Sequence, residues 1–133
     1  MNGFHIEIAD KRTAFAPGET IDGAVSWQLD APPRQVFLRL FWFTKGKGGE
    51  DMKVVSEILF DDPRAMETRL FTMTLPQSPY SFNGKLVSLV WALELGAEGK
   101  DAAFRQEIVI APLGQPIDLT LNQAVKAEGA LGV

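Results

Sequence analysis

The sequence predicts an all-β domain, an antiparallel β-sandwich of two sheets and about seven strands. Three observations carry this expectation. Apolar residues recur at every second position in several separate runs, the spacing of strands with one buried face. Clusters of glycine, proline and aspartate suited to chain reversal stand between the runs. No stretch within residues 1–111 shows the 3.6-residue period of an amphipathic helix. With 133 residues, 46% of them hydrophobic, nine Phe and three Trp, one domain can bury roughly two-thirds of its unfolded surface.

The elements follow in order. Phe4, Ile6 and Ile8 alternate with His5 and Glu7 in a first strand. Ile21, Val25, Trp27 and Leu29 alternate with Asp22, Ser26 and Gln28 in a second, where Gly23 stands in place of a side chain. Val36, Leu38, Leu40 and Trp42 form the inner face of a third. Strands are expected at about 52–60 and 67–75, the latter marked by Phe71, Met73 and Leu75. Leu89, Trp91, Leu93 and Leu95 mark the sixth, and Phe104, Ile108 and Ile110 the seventh. Gly18, Gly46, Gly48, Gly49, Gly84, Gly96 and Gly99 are expected to supply positive φ at reversals. Pro32-Pro33 and Pro63 end ladders, because proline has no amide to donate, and Asp30-Ala31-Pro32-Pro33 and Asp61-Asp62-Pro63-Arg64 read as turns. The sandwich is expected to occupy 1–111. In 112–133, a short strand is expected at 117–121, then an Ala-rich helical turn capped by Asn122 and a frayed end at 129–133.

Two motifs stand out. Pro17-Gly18-Glu19 leads into Ile21, Gly23 and Val25. Leu75-Pro76, Pro79, Ser81-Phe82 and Gly84 lead into Ser88-Leu89-Val90-Trp91-Ala92-Leu93-Glu94. Pro17 presets φ for a turn, Gly18 takes the position where a Cβ would clash, and Gly23 permits a close backbone approach or a bulge. The pairing of these motifs, about sixty residues apart, resembles the arrestin-like family, whose members include the arrestin N-domain and sporulation-control-protein-like sandwiches. The resemblance covers about residues 4–111 and identifies the chain as a single-domain member. It implies an immunoglobulin-like, arrestin-type sandwich with Phe82 plugging its open end and Trp91 at the core centre. It also implies an adaptor or scaffold, since such proteins bind membrane receptors and trafficking machinery, usually with two sandwiches in tandem. The family's Pro-Pro-x-Tyr ubiquitin-ligase motif is not matched, because Pro32-Pro33 is followed by Arg34 and Gln35. Lys11-Arg12 do not reproduce the phosphate site of the visual branch, so phosphate sensing is not carried over.

Catalytic chemistry has little foothold. The chain has no cysteine, and its single histidine, His5, is expected to face solvent beside Glu7, so no nucleophile–base pair or zinc site can be assembled from them. Ser81 sits among turn residues rather than in a nucleophile elbow. Glu50-Asp51 and Asp61-Asp62 lack the alternating carboxylates of a calcium loop, and Lys45, Lys47 and Lys53 read as a solvated hairpin tip. No enzyme activity, cofactor or metal is expected. A net charge of −4 repels nucleic acid, and no apolar run reaches the roughly 18 residues of a spanning helix, so no membrane insertion is expected. Met1–Ala9 shows no basic, apolar leader, and the lack of cysteine fits a cytoplasmic location.

One feature departs from a plain sandwich. If Val36, Leu38, Leu40 and Trp42 point inward, then Phe37, Phe41 and Phe43 point outward, interrupted only by Arg39. Leu86, Val90 and Ala92 point outward likewise. An antiparallel sheet with a wet face should carry polar residues there. Three outward aromatics, each able to bury on the order of 150–250 Å², make a patch that monomers rarely leave bare. Phe37, Phe41, Phe43, Leu86 and Val90 are therefore the candidate interaction face. Either the C-terminal segment folds back over it or another chain covers it, a symmetric homodimer being the simplest case. The expected function is non-catalytic protein–protein interaction. The alternative, a ligand-binding sandwich of the carbohydrate-binding kind, needs exposed Trp or Tyr, whereas Trp27, Trp42 and Trp91 all fall on inward positions.

Overall fold

The structure, a computed structural model, describes residues 3–47, 50–99 and 103–119. Among the described residues, ten strands make up two sheets: β1 (Gly3–Ile8), β2 (Ala14–Phe15), β3 (Thr20–Gln28), β4 (Val36–Gly46), β5 (Met52–Phe60), β6 (Met66–Thr74), β7 (Phe82–Asn83), β8 (Val87–Ala97), β9 (Ala103–Ile110) and β10 (Ile117–Asp118). Seven are long and sit where the alternation expects them, and β2, β7 and β10 are two-residue splices. The smaller sheet runs β1-β3-β6, antiparallel throughout. The larger runs β10-β7-β8-β4-β5, with β9 also hydrogen-bonded to β8. The end of β9 continues into a parallel pairing with β2, and β10 pairs parallel with β7.

The period of two does what it predicts. Ile21, Val25, Leu38, Leu40, Trp91, Leu93, Leu95 and Ile110 meet in one fully buried layer between the sheets. Trp91 pairs with Trp42 across β4 and β8, and Trp42 is only partly buried against the core. The indole N–H of Trp91 donates to the Pro79 carbonyl at 2.9 Å, and that of Trp27 to the Arg64 carbonyl at 2.8 Å. Both polar handles are thereby satisfied in a dry setting.

The two sequence motifs prove to be joints. Glu19 N–H donates to the Ala16 carbonyl at 3.1 Å, closing the turn around Pro17 and Gly18, and Gly18 has φ 79°. That positive φ after proline is what a type II turn demands of its third residue. Gly18 N–H also donates to the Pro76 carbonyl, and Leu75 N–H to the Glu19 carbonyl, so the first motif is tied to the start of the second. Further along, buried Ser81 joins three segments. Its N–H donates to the Ile110 carbonyl, its Oγ accepts from Ile110 N–H at 3.0 Å, and its carbonyl accepts from Ile117 N–H at 2.9 Å. Phe82 packs half-buried against the core beside this joint.

Some expectations need correction. Gly18, Gly46 and Gly99 have positive φ, but Gly84 and Gly96 do not. Gly96 lies within β8, where the Phe37 ring rests on it; an added Cβ would come within 2.8 Å of Phe37 Cζ. The left-handed positions beyond those expected are Asp10 (φ 59°), Lys11 (φ 54°), Asp62 (φ 46°) and Gly114 (φ 72°). Asp10 and Lys11 belong to a single 3-10 turn at Ala9–Lys11. The strand expected at 117–121 appears at Ile117–Asp118. Gly48, Gly49, the turn from Asn122 and the end at 129–133 lie outside the described residues. Among the described residues, no helix is long and apolar enough to cross a membrane.

Candidate interaction face

β4 lies between β8 and β5, so every outward side chain on it has two neighbours. Phe37 stands opposite Gly96 and Leu59, and Arg39 opposite Glu94 and Glu57. Phe41 stands opposite Ala92 and Val54, and Phe43 opposite Val90 and Met52. Phe37, Phe41 and Phe43 thus share the outer face, as the alternation expects. They are not bare. Phe41 is only 1% exposed, and Phe37 and Phe43 are half-buried.

Among the described residues, two arginine side chains lie over these rings. Arg39 lies 3.8 Å from the centroid of the Phe37 ring and is held by Glu57 Oε2 at 2.5 Å. Arg105, on β9, extends over the face to 4.9 Å from Phe41 and 5.3 Å from Phe43, with Glu94 3.6 Å from its guanidinium. The Phe41 and Phe43 rings stack on each other at 5.9 Å. Small residues at 92 and 96 leave the depth in which these rings lie. Each cation–π contact of this kind is worth about 0.5–1 kcal/mol at an exposed site, and the arginine stems also shield apolar area. The face is an aromatic floor under a guanidinium roof.

Exposed apolar surface lies around that floor. Leu86 is 65% exposed, in the loop whose carbonyl accepts from Lys47 N–H, and Val90 is half-buried. Met52, Val54, Val55 and Leu59 on β5 are also exposed. Sequence reasoning missed this flank because the pairing of β4 with β5 shifts register between Leu40 and Phe41. A bulge of this kind breaks the period of two that marks a strand's faces. It also missed Arg105, which lies on β9 and reaches the aromatic strand only across β8, a neighbourhood the sequence does not announce.

The other candidates resolve structurally. His5 is exposed, with its ring 5.2 Å from that of Phe104, and Ser81 is the joint described above. Among the described residues, no group of three or more histidines and acids could hold a metal ion. Glu19 is held below the usual carboxylate range, first by the Arg12 guanidinium and then by Ala16 N–H. Glu67 is held low by Arg69 and by Arg64 N–H. Both carboxylates hold turns and lie off the aromatic floor. A groove of about 820 Å³ is lined by residues of β1, β3 and β6, among them Ile8, Ala24, Leu70, Phe71 and the acids Glu7 and Asp22.

No family model and no curated protein sequence matches the chain. Among solved structures, it is similar to Spo0M, a sporulation control protein from Bacillus subtilis, with a TM-score of 0.59 and 19% identity over 83% of this chain. The chain has the arrestin-type sandwich fold. It spans about half of that neighbour's length, 49%. Structures of β-glucosidase from Listeria innocua, alone and with glucose, cover 87% of this chain and 16% of their own at 10% identity. Their TM-score of 0.45 is too loose a likeness to say anything about function.

Proposed function

We propose that this chain is a non-catalytic protein-interaction domain, an arrestin-like adaptor or scaffold of the cytoplasm that works through the outer face of its larger sheet. The observation that carries this reading is the floor of Phe37, Phe41 and Phe43 beneath Arg39 and Arg105, bordered by exposed Leu86 and half-buried Val90. Aromatic residues and arginine are the types that anchor protein interfaces, and an exposed apolar border supplies the area around such anchors. The likeness to a sporulation control protein supports a regulatory role. A homo-oligomer through this face is one form of the same reading.

The carbohydrate-binding alternative loses support from the tryptophans. Trp27 and Trp91 are buried with their N–H groups spent on backbone carbonyls, which leaves no indole platform from either. Affinity capture from a native lysate tests the proposal, using the intact protein and a Leu86→Glu/Val90→Glu variant. A partner held by the first and lost from the second, with unchanged circular dichroism, is the expected result. Equal capture by both overturns it. The same preparation carrying His5→Ala is expected to keep its fold and its partner, and a hydrolase activity abolished by that substitution would refute the non-catalytic reading.

A further inference from the structure

Among the described residues, the smaller sheet has an open edge: β6 pairs with β3 alone, in an unbroken register from Thr20 opposite Thr74 to Gln28 opposite Met66. Just beyond the two ends of this ladder, Leu75 N–H donates to the Glu19 carbonyl at 2.8 Å and Leu29 N–H to the Ala65 carbonyl at 2.7 Å. Hydrogen-bonded pairs in an antiparallel ladder recur at every second residue, so the odd-numbered residues of β6 face β3. Met66, Thr68, Leu70, Thr72 and Thr74 therefore turn their N–H and C=O groups to the free edge and their side chains to the outer face. Leu70, the central residue of the nine, is 84% exposed, more than any other large apolar side chain within a described strand.

We infer that a second copy of this chain pairs antiparallel with β6 along this edge, about a two-fold axis at Leu70. The argument is self-complementarity. With Leu70 opposite Leu70 of the second copy, Thr68 meets Thr72 and Met66 meets Thr74, using all nine residues. Every outward side chain is uncharged, so no like charges face each other. Opposed threonines and aliphatics are favourable cross-strand pairs. The charged residues of β6 stay on their own protomer, since Arg69 Nε donates to Glu67 at 2.7 Å and its Nη2 to the Asp61 carbonyl at 2.7 Å.

The other edges are less fit for pairing. β5 carries a register shift together with Lys53 and Glu57, the devices that blunt an edge, and β1 is flanked by β9 through His5 and Phe104. Pairing one strand with its copy buries an area at the low end of specific interfaces, so the dimer should be weak, with a dissociation constant roughly micromolar or higher. This site is on the opposite sheet from the face proposed above and does not depend on it.

The chain's lack of cysteine makes the test direct. Directly opposed antiparallel residues have Cα atoms about 4.5–5.5 Å apart, within the roughly 4.4–6.8 Å span of a disulfide. A Leu70→Cys protein treated with a mild oxidant should therefore cross-link to a dimer on a non-reducing gel, whereas Leu86→Cys should not. Light scattering of the unsubstituted protein should show a mass that rises with concentration. Thr72→Pro removes only an outward N–H, a substitution an edge strand tolerates, and should abolish that rise. Leu70→Lys sets like charges at the axis and should weaken the dimer at least about tenfold even if the proline variant fails to fold. A monomer at every concentration, a dimer indifferent to Leu70→Lys, or no cross-link at Leu70→Cys overturns the inference. A cross-link at Leu86→Cys in its place overturns it too, and moves the pairing to the aromatic face, leaving the proposed function standing.

Discussion

At the scale of single residues, burial and hydrogen bonding separate the side chains that hold the sandwich from those it displays. Trp91 is fully buried, and its indole N–H donates a hydrogen bond to the Pro79 carbonyl. Trp91→Ala should cost about 3–5 kcal/mol in a urea melt. Ser81→Ala removes the acceptor of Ile110 N–H in a buried joint and should cost about 1–3 kcal/mol, although it deletes a single oxygen. Phe41 and Leu86 point to the same side but differ in consequence. Phe41→Glu places a carboxylate under the arginine roof at a buried position and should destabilise strongly, whereas Leu86→Glu should change stability by no more than about 0.5 kcal/mol. Equal melting of these two variants would mean that the roof over Phe41 is not formed.

At the scale of elements, two turns are clamped by carboxylates whose pKa values are lowered in the folded chain. Glu19 closes the turn before β3 against Arg12 and Ala16 N–H, and Glu67 ties the loop before β6 to Arg69 and Arg64 N–H. A depressed folded pKa means that the stabilisation is complete above the unfolded value of about 4.3 and disappears as pH falls through the folded value. The melting temperature should therefore decline below about pH 4.5, and Glu19→Gln should flatten part of that slope. Both carboxylates are solvent-accessible, so the effect should be modest and should shrink in high salt. A Glu19→Gln protein with an unaltered acid slope would remove that clamp from the account.

At the scale of the whole molecule, segments far apart in the chain are spliced together. Ala14 and Phe15 pair with Val109 and Ile110, and Ile117 and Asp118 pair with Phe82 and Asn83. Such distant pairings must close large loops before they contribute, so refolding should take milliseconds to seconds, measured by tryptophan fluorescence in stopped flow. Deleting residues 112–133 removes β10 and the donor to the Ser81 carbonyl. At about 0.5–1.5 kcal/mol per hydrogen bond, the truncated sandwich should remain folded but melt earlier in urea. An unfolded truncation would extend the essential domain past residue 111.

The strands and their inward faces were legible because alternation is a local property. Ile6, Val25, Leu38 and Leu93 announce their burial through their immediate neighbours, and the turn at Pro17-Gly18 follows from two φ preferences. The outward parity of Phe37, Phe41 and Phe43 was legible for the same reason. Their cover was not. Arg105 is more than sixty residues from Phe41 in the chain and reaches it only because β9 lies beside β8 and β8 beside β4. The register shift in β5, the splicing of Ser81 to Ile110 and Ile117, and the open side of β6 likewise depend on which strands become neighbours. A side chain's periodicity is set by the residues next to it, but its exposure is set by what the fold brings over it.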